Sequence, residues 1–141
     1  MTAMGAIKQA ILCVDDEAVI VLAMKQELRR RFGDRYSIET ALGAEEARAA
    51  IEDLEAEGIR VAMVICDWFM PGQRGDRFLV ALREKRPWIK SILMTGQADT
   101  EAIQRARAEA GISACIQKPW RPEELAKAIE NSLSAIDTGG K

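Results

Sequence analysis

Histidine is missing from all 141 residues of the sequence. Its imidazole is the side chain most often used as a general base near neutral pH and as a metal ligand. Without it, histidine-based acid–base catalysis, histidine metal ligation and a phosphohistidine relay are excluded for this chain acting alone. Any step that needs a histidine has to draw it from a partner protein.

Long apolar runs and dense basic stretches are also lacking. The longest purely apolar run, residues 18–24, is far shorter than the ~20 residues that a membrane-spanning helix needs. The 20 basic and 22 acidic residues are spread along the chain and give a formal net charge of −2, so no stretch is suited to a nucleic-acid backbone. We expect a soluble, cytoplasmic protein that binds neither membranes nor nucleic acid through this chain.

Cysteines are few, and their number is odd. Cys13, Cys66 and Cys115 each lie inside an apolar segment, which predicts buried thiols and not a disulfide framework. A reducing compartment is consistent with that usage.

Five short apolar stretches alternate with longer segments whose apolar residues recur at helical spacing. This alternation is typical of repeated strand–helix units. The predicted strands are residues 10–14, 36–41, 61–66, 91–94 and 114–117. Four of them lack strict alternation, as strands buried on both faces do, whereas Glu39 and Thr40 indicate that the second strand lies at an edge.

These units predict an α/β protein with five parallel strands and helices on both faces of the sheet. A chain of this length with 48% apolar residues fits one domain. We assign that domain to residues 10–136, preceded by an N-terminal segment at 1–9 and followed by a loose tail at 137–141. The last helix has the clearest pattern, because Pro122 suits its first turn and Leu125, Ile129 and Leu133 continue one apolar face.

Chemically active side chains follow four of the five predicted strands. They are Asp15, Asp16 and Glu17 after the first strand, Asp67 after the third, Thr95 and Gly96 after the fourth, and Lys118 with Pro119 after the fifth. Ligands of open parallel sheets bind beyond the carboxyl ends of the strands. Carboxylates gathered there repel one another unless a cation is bound, and an all-oxygen site suits Mg²⁺. The set is suited to phosphoryl transfer to an aspartate.

Each of these groups also has an ordinary structural explanation. Asp16 could cap the first helix, Thr95 could be a turn hydroxyl, and Lys118 could be a solvated charge. The functional interpretation is favoured because complementary groups arrive together at one edge of one predicted sheet.

Four short motifs resemble the receiver domain of bacterial response regulators, the CheY-like switch module of two-component signalling. The motifs are VDDE at 14–17, DWFMPG at 67–72 with Gly75 following, MTG at 94–96 and KPW at 118–120. The resemblance extends over residues 11–133. It implies a doubly wound, flavodoxin-like fold with strand order 2-1-3-4-5 and five helices.

The resemblance also implies a role for each matching residue. Asp67 is the phosphoacceptor. Mg²⁺ is held by Asp16, Asp67 and the backbone carbonyl of Phe69, while Asp15 holds metal-bound water. The phosphoryl oxygens are contacted by Thr95, Gly96, Lys118 and Trp68, and a cis bond precedes Pro119.

Three further positions tune the switch in the family. Phe69 and Gln97 flank the route of the hydrolytic water, and a bulky apolar Phe69 predicts slow self-dephosphorylation. Cys115 occupies the position of an aromatic switch residue, so the usual readout by ring rotation is not expected. We predict instead that the segment 97–100 and the helix after it carry the signal.

The resemblance implies a phosphorylation-dependent signalling switch and not an enzyme. Asp67 receives its phosphoryl group from a sensor histidine kinase or a phosphotransfer protein, and the phosphorylated chain changes its affinity for a downstream effector domain or protein. A homodimer through the face of the fourth helix, fifth strand and fifth helix is a further assembly that it allows.

Three alternatives remain at the sequence level. A degenerate receiver would act as a phosphorylation-independent interaction module. An aspartate-nucleophile phosphatase would place a second acid where this chain has Phe69, and a flavin-binding domain would have its phosphate repelled by Asp15 and Asp16.

Overall fold

The computed structural model describes residues 7–97 and 99–139, with side chains up to residue 134. The five strands are β1 (Gln9–Val14), β2 (Ser37–Ala41), β3 (Arg60–Asp67), β4 (Lys90–Thr95) and β5 (Ala114–Gln117). The five helices are α1 (Ala18–Phe32), α2 (Ala44–Ala56), α3 (Gly75–Lys85), α4 (Thr100–Ala110) and α5 (Pro122–Gly139). Strands and helices alternate along the whole described chain.

All four strand pairings are parallel, and the strand order is β2-β1-β3-β4-β5. The doubly wound, flavodoxin-like α/β fold is therefore confirmed. Strand β2 lies at one edge of the sheet, as its polar residues predicted, and β5 lies at the other.

Two apolar clusters cover the two faces of the sheet. Alternate residues of a strand point to opposite faces, so Leu12 and Val14 pack into the cluster with α2, α3 and α4, whereas Ile11 and Cys13 pack into the cluster with α1 and α5. Because both faces are covered, the central strands are apolar at nearly every position.

Two ends of the predicted domain differ from the structure. Strand β1 begins at Gln9, inside the segment assigned to the N-terminus, and α5 continues to Gly139. The loose tail predicted from residue 137 is therefore wrong for residues 137–139, because a helix that has formed gains a hydrogen bond with each residue it adds. Residues 1–6, 140 and 141 lie outside the described part.

The helix ends follow familiar chemistry. Asp99 caps α4 by accepting a hydrogen bond from the Ala102 amide at 3.3 Å, and Gly111 ends that helix with a φ of 67°, a conformation that glycine adopts at little cost. The N-cap position of α1 is Glu17, and it makes no side-chain cap. Asp16 is therefore not the cap of the first helix.

No helix of the described residues is long and apolar enough to cross a lipid bilayer.

Candidate functional site

The parallel register brings the chemically active residues to one edge of the sheet. Val14 pairs with Cys66, and Asp67 pairs with Met94. Asp15 therefore follows β1 at the same level at which Asp67 ends β3. Thr95 pairs with Gln117, which places Lys118 one residue beyond the end of β4.

The three aspartates form one cluster. Asp15, Asp16 and Asp67 each offer a carboxylate oxygen, and these oxygens lie within 4.8 Å of one another. Asp15 and Asp67 are buried, while Asp16 is exposed. The Asp15 Oδ1 also accepts a hydrogen bond of 2.9 Å from the Glu17 amide, which orients that carboxylate. The described part of the chain thus gathers three carboxylates from two strand ends.

Lys118 joins the two buried carboxylates. Its Nζ lies 3.2 Å from Asp67 Oδ1 and 3.4 Å from Asp15 Oδ2. The peptide bond between Lys118 and Pro119 is cis, as the family resemblance implied. The Lys118 amide donates a hydrogen bond of 2.7 Å to the Thr95 carbonyl, so the lysine is held against the end of β4.

The charged forms of the two buried carboxyl groups are unfavourable in this cluster. Burial raises the pKa of Asp67, the charge of Asp15 raises it further, and Lys118 opposes both effects. Burial likewise raises the pKa of Asp15, although the Glu17 amide and Lys118 lower it. Burial alone would lower the pKa of Lys118, but the two carboxylates outweigh that effect and raise it. One ammonium group therefore compensates two buried acids incompletely, and a cation is favoured here.

The donor set fits Mg²⁺. Its described members are carboxylate oxygens, which are the hard ligands that Mg²⁺ prefers, and the exposure of Asp16 leaves positions for water and a substrate oxygen. The Phe69 carbonyl, two residues after Asp67, remains a predicted further ligand.

Thr95 and Gln97 form a closed turn. The Thr95 hydroxyl donates to the Gln97 carbonyl at 2.9 Å and accepts from the Gln97 amide at 3.1 Å. Thr95 is buried, whereas Gly96 and Gln97 are exposed. The predicted contact of the Thr95 hydroxyl with a phosphoryl oxygen therefore requires this turn to rearrange, and the contact of Gly96 stays a prediction.

The Trp68 backbone is hydrogen-bonded on both sides within the fold. Its amide donates to the Met94 carbonyl at 2.9 Å, and its carbonyl accepts from the Gly75 amide at 2.6 Å. The Phe69 side chain is 58% exposed, and its ring stacks on that of Trp68 with centroids 6.2 Å apart. Trp68 therefore anchors the chain after Asp67, and its contact with a phosphoryl oxygen stays a prediction.

Cysteine burial follows the prediction for two of the three residues. Cys13 and Cys66 are buried, and Cys115 is half-buried; all three are free thiols. Cys115 packs against the apolar cluster on the side of α2, α3 and α4. An aromatic ring in the same position would be much larger than the thiol.

Two features of the site were not predicted as functional. A groove of about 320 Å³ between α3 and α4 opens beside Trp68 and Thr95, and Arg77 and Arg105 are among its lining residues. Gly75 packs against the Asp67 carbonyl, although the sequence shows it only as part of a motif. Both features arise from contacts between separate elements. Only Gly75 could have been found in the sequence, because it follows the motif at 67–72.

The sequence profile described as "Response regulator receiver domain" matches residues 11–130. This match covers most of the chain, and the chain belongs to the response regulator receiver domain family. Receiver domains are modules of two-component signalling that interact with histidine kinases and effectors, and they generally bind Mg²⁺ at an acidic pocket.

The chain is similar to several known proteins. It is 36% identical to the "Hydrogenase transcriptional regulatory protein HoxA" of Cupriavidus necator, over 91% of this chain and 25% of that protein. It is 28% identical to the "Sensor kinase CckA" of Brucella abortus, over 90% of this chain and 13% of that protein. A receiver domain protein from Methanospirillum hungatei superposes with a TM-score of 0.79 at 30% identity, covering 95% and 99% of the two chains. The chain thus spans a quarter or less of these two curated relatives.

Proposed function

We propose that this chain is a phosphorylation-controlled switch in which Asp67 accepts a phosphoryl group from a partner's phosphohistidine in a Mg²⁺-dependent reaction. The observation that carries this proposal is the contact of 3.2 Å between Lys118 Nζ and Asp67 Oδ1 inside a cluster of three carboxylates. An isolated structural aspartate needs neither the second buried acid nor the lysine.

The residues divide the reaction between them. An Asp67 carboxylate oxygen attacks phosphorus, so that an O–P bond forms while the P–N bond to the partner's histidine breaks, and the histidine leaves with its electron pair. Lys118 exchanges a carboxylate contact for a phosphoryl oxygen and keeps the new charge compensated. Asp16, Asp67 and the Phe69 carbonyl would hold Mg²⁺ and Asp15 a water bound to it, and the ion would supply further compensation of charge on the phosphoryl oxygens.

The turn at Thr95 suggests how the signal leaves the site. If the Thr95 hydroxyl moves to a phosphoryl oxygen, it gives up both hydrogen bonds to Gln97 and releases the segment before α4. Ala98, in the middle of that segment, lies outside the described residues. We expect faster amide hydrogen exchange at Gln97, Asp99 and the start of α4 after phosphorylation, and unchanged exchange there would refute this route.

The chain acts as a regulatory domain and not as a turnover enzyme. Its donor is a sensor histidine kinase or a phosphotransfer protein, and its output is a changed affinity for a downstream effector domain or protein in the cytoplasm. A homodimer through the face of α4, β5 and α5 is part of the same proposal.

The proposal is tested by intact mass spectrometry after incubation with Mg²⁺ and a small acyl phosphate. We expect the parent chain to gain the mass of one phosphoryl group and Asp67→Ala to gain none. Asp53→Ala, which removes an exposed acid of α2, is the matched control and should be labelled like the parent. Equal labelling of the parent and Asp67→Ala would overturn the assignment of Asp67. No labelling of the parent would favour a phosphorylation-independent interaction module.

A further inference from the structure

Gly75 approaches the phosphoacceptor strand more closely than any other residue type could. It is the first residue of α3 and is buried. A Cβ atom at this position would lie 2.0 Å from the Asp67 carbonyl oxygen and 3.0 Å from the Cys66 Sγ. The nearer neighbour is backbone, so it cannot turn aside as the end of a flexible side chain can. Only glycine allows α3 to begin against the acceptor residue itself.

The close approach closes the loop that follows Asp67. The Gly75 amide donates to the Trp68 carbonyl at 2.6 Å, while the Trp68 amide donates to the Met94 carbonyl on β4 at 2.9 Å. Residue 68 is therefore held from both sides, by the sheet and by the start of α3. The Phe69 carbonyl, the predicted metal ligand, belongs to the next residue.

We infer that Gly75 is a positioning residue for the metal site, because it lets α3 hold the Trp68–Phe69 backbone in the place where the Phe69 carbonyl and the Asp67 carboxylate can bind one cation. This inference rests on the proposed function. With alanine at residue 75 and an unchanged backbone, the new Cβ atom would lie 2.0 Å from the Asp67 carbonyl oxygen. The backbone must therefore shift until these two atoms are at least 3.0 Å apart. That displacement pulls residue 68 away from its place and spoils a coordination geometry that Mg²⁺ requires to be nearly ideal.

Thermodynamic linkage gives the inference a second consequence. If the closed loop favours metal binding, metal binding must favour the closed loop by the same free energy. The Gly75–Trp68 hydrogen bond should therefore open less often in the metal-bound chain.

The first experiment measures metal affinity with Mn²⁺, whose free ion is counted by electron paramagnetic resonance without any need for activity. We expect Gly75→Ala to bind Mn²⁺ about tenfold or more weakly than the parent, the size of loss typical when a supporting group of a metal site is disturbed. Gly33→Ala is the matched control, because its Cβ would also clash with backbone, 2.4 Å from the Arg29 carbonyl oxygen. Gly33 follows the C-terminal end of α1, whereas Asp15 and Asp16 precede the N-terminal end of that helix. We expect Gly33→Ala to lose stability to urea and to keep the parent's affinity.

The outcomes separate this inference from the proposed function. A folded Gly75→Ala chain that binds Mn²⁺ like the parent overturns the inference alone. A parent chain that binds no Mn²⁺ overturns the metal site of the proposed function and the inference with it. Equal losses of affinity in Gly75→Ala and Gly33→Ala would mean that the effect is general destabilisation, which also overturns the inference.

The second experiment uses only the parent chain, so it tests the inference even if Gly75→Ala does not fold. Amide hydrogen exchange of the parent is followed by NMR with and without saturating Mg²⁺. We expect the Gly75 amide to exchange several-fold more slowly with Mg²⁺, while the Gly33 amide, which donates to the Arg29 carbonyl at 2.9 Å, keeps its rate. The same rate for Gly75 under both conditions contradicts the inference.

Discussion

At the scale of single residues, Asp15 illustrates how a residue of the site can lower the stability of the folded state. Its carboxylate is fully buried near Asp16 and Asp67, and burial raises its pKa. A folded-state pKa above the unfolded value of about 3.9 means that the charged form opposes folding. This opposition is absent at acid pH and grows as the pH rises through the range above that value.

We predict that Asp15→Asn makes the metal-free chain more stable at pH 7, by about 1 kcal/mol. The amide oxygen can still accept from Glu17, and Lys118 keeps its contact with Asp67. Urea unfolding in a chelator measures the gain, which should disappear below about pH 4. Added Mg²⁺ should stabilise the parent more than the variant. Asp53→Asn is the control and should stay close to the parent, and a metal-free Asp15→Asn less stable than the parent at pH 7 would contradict the prediction.

Phe69 is an exposed residue at a position that the family resemblance links to the lifetime of the phosphoryl group. The residue is 58% exposed, and its ring has no group that could orient a water molecule toward a phosphoryl group. We predict that Phe69→Asn speeds loss of the phosphoryl group from Asp67 several-fold, because an amide can hold that water. The decay is followed by intact mass after removal of the acyl phosphate. Phe69→Leu is the control, and equal decay of Phe69→Asn and the parent would refute the prediction.

Trp68 marks the limit of sequence reasoning at this scale. The family resemblance implies a phosphate contact for Trp68, which stays a prediction, but the sequence did not show that its amide is paired with the Met94 carbonyl. That pairing depends on how β3 and β4 align, which no local pattern states. The contacts of Lys118 with Asp15 and Asp67 were easier to foresee, because all three residues follow strands of one parallel sheet.

At the scale of elements, one ion pair connects α2 to the end of α3. Arg86 Nε and Nη2 donate to the two carboxylate oxygens of Glu55 at 2.7 and 2.9 Å. These hydrogen bonds lower the pKa of Glu55. A lowered folded-state pKa contributes stability above the unfolded value of about 4.3, and this stability is lost as the pH falls through the folded-state value.

We predict that Glu55→Gln lowers the free energy of unfolding at pH 7 by up to about 1 kcal/mol, since a third of the Glu55 side chain is exposed and solvent screens the pair. The difference from the parent should vanish at acid pH, where Glu55 is protonated in both states. Urea unfolding at several pH values measures it. Glu84→Gln removes an exposed acid of α3 as the control, and a pH-independent difference for Glu55→Gln would exclude the ion pair as the cause.

Elements were predictable where apolar periodicity and chain breakers agree. All five strands were placed within two residues of their ends. The end of α5 was missed, because Asp137, Thr138 and Gly139 are weak helix formers whose preference is overridden once the helix has formed.

At the scale of the whole molecule, the three cysteines lie in different parts of the sheet, two in interior strands and one in an edge strand. Cys13 lies in β1 and Cys66 in β3, both flanked by strands on either side, whereas Cys115 lies in the edge strand β5. Burial raises the pKa of Cys13 to about 12 and that of Cys66 strongly. Because the thiolate is the reactive form, we expect both central cysteines to react far more slowly than a free thiol at neutral pH while the sheet is intact.

We predict that an alkylating reagent at pH 7 modifies Cys115 first, through local opening of the edge strand, and modifies Cys13 and Cys66 together only when the whole domain unfolds. The two central cysteines should share one labelling rate, and its dependence on urea should match that of global unfolding, because exposing them disrupts the β1–β3–β4 core. The rate for Cys115 should depend on urea less steeply. Peptide mass spectrometry after timed labelling measures all three rates, and Cys115→Ser serves as the control that lacks the early modification. If Cys13 or Cys66 were labelled as early as Cys115, the central strands would open independently and the sheet would not unfold as one cooperative unit.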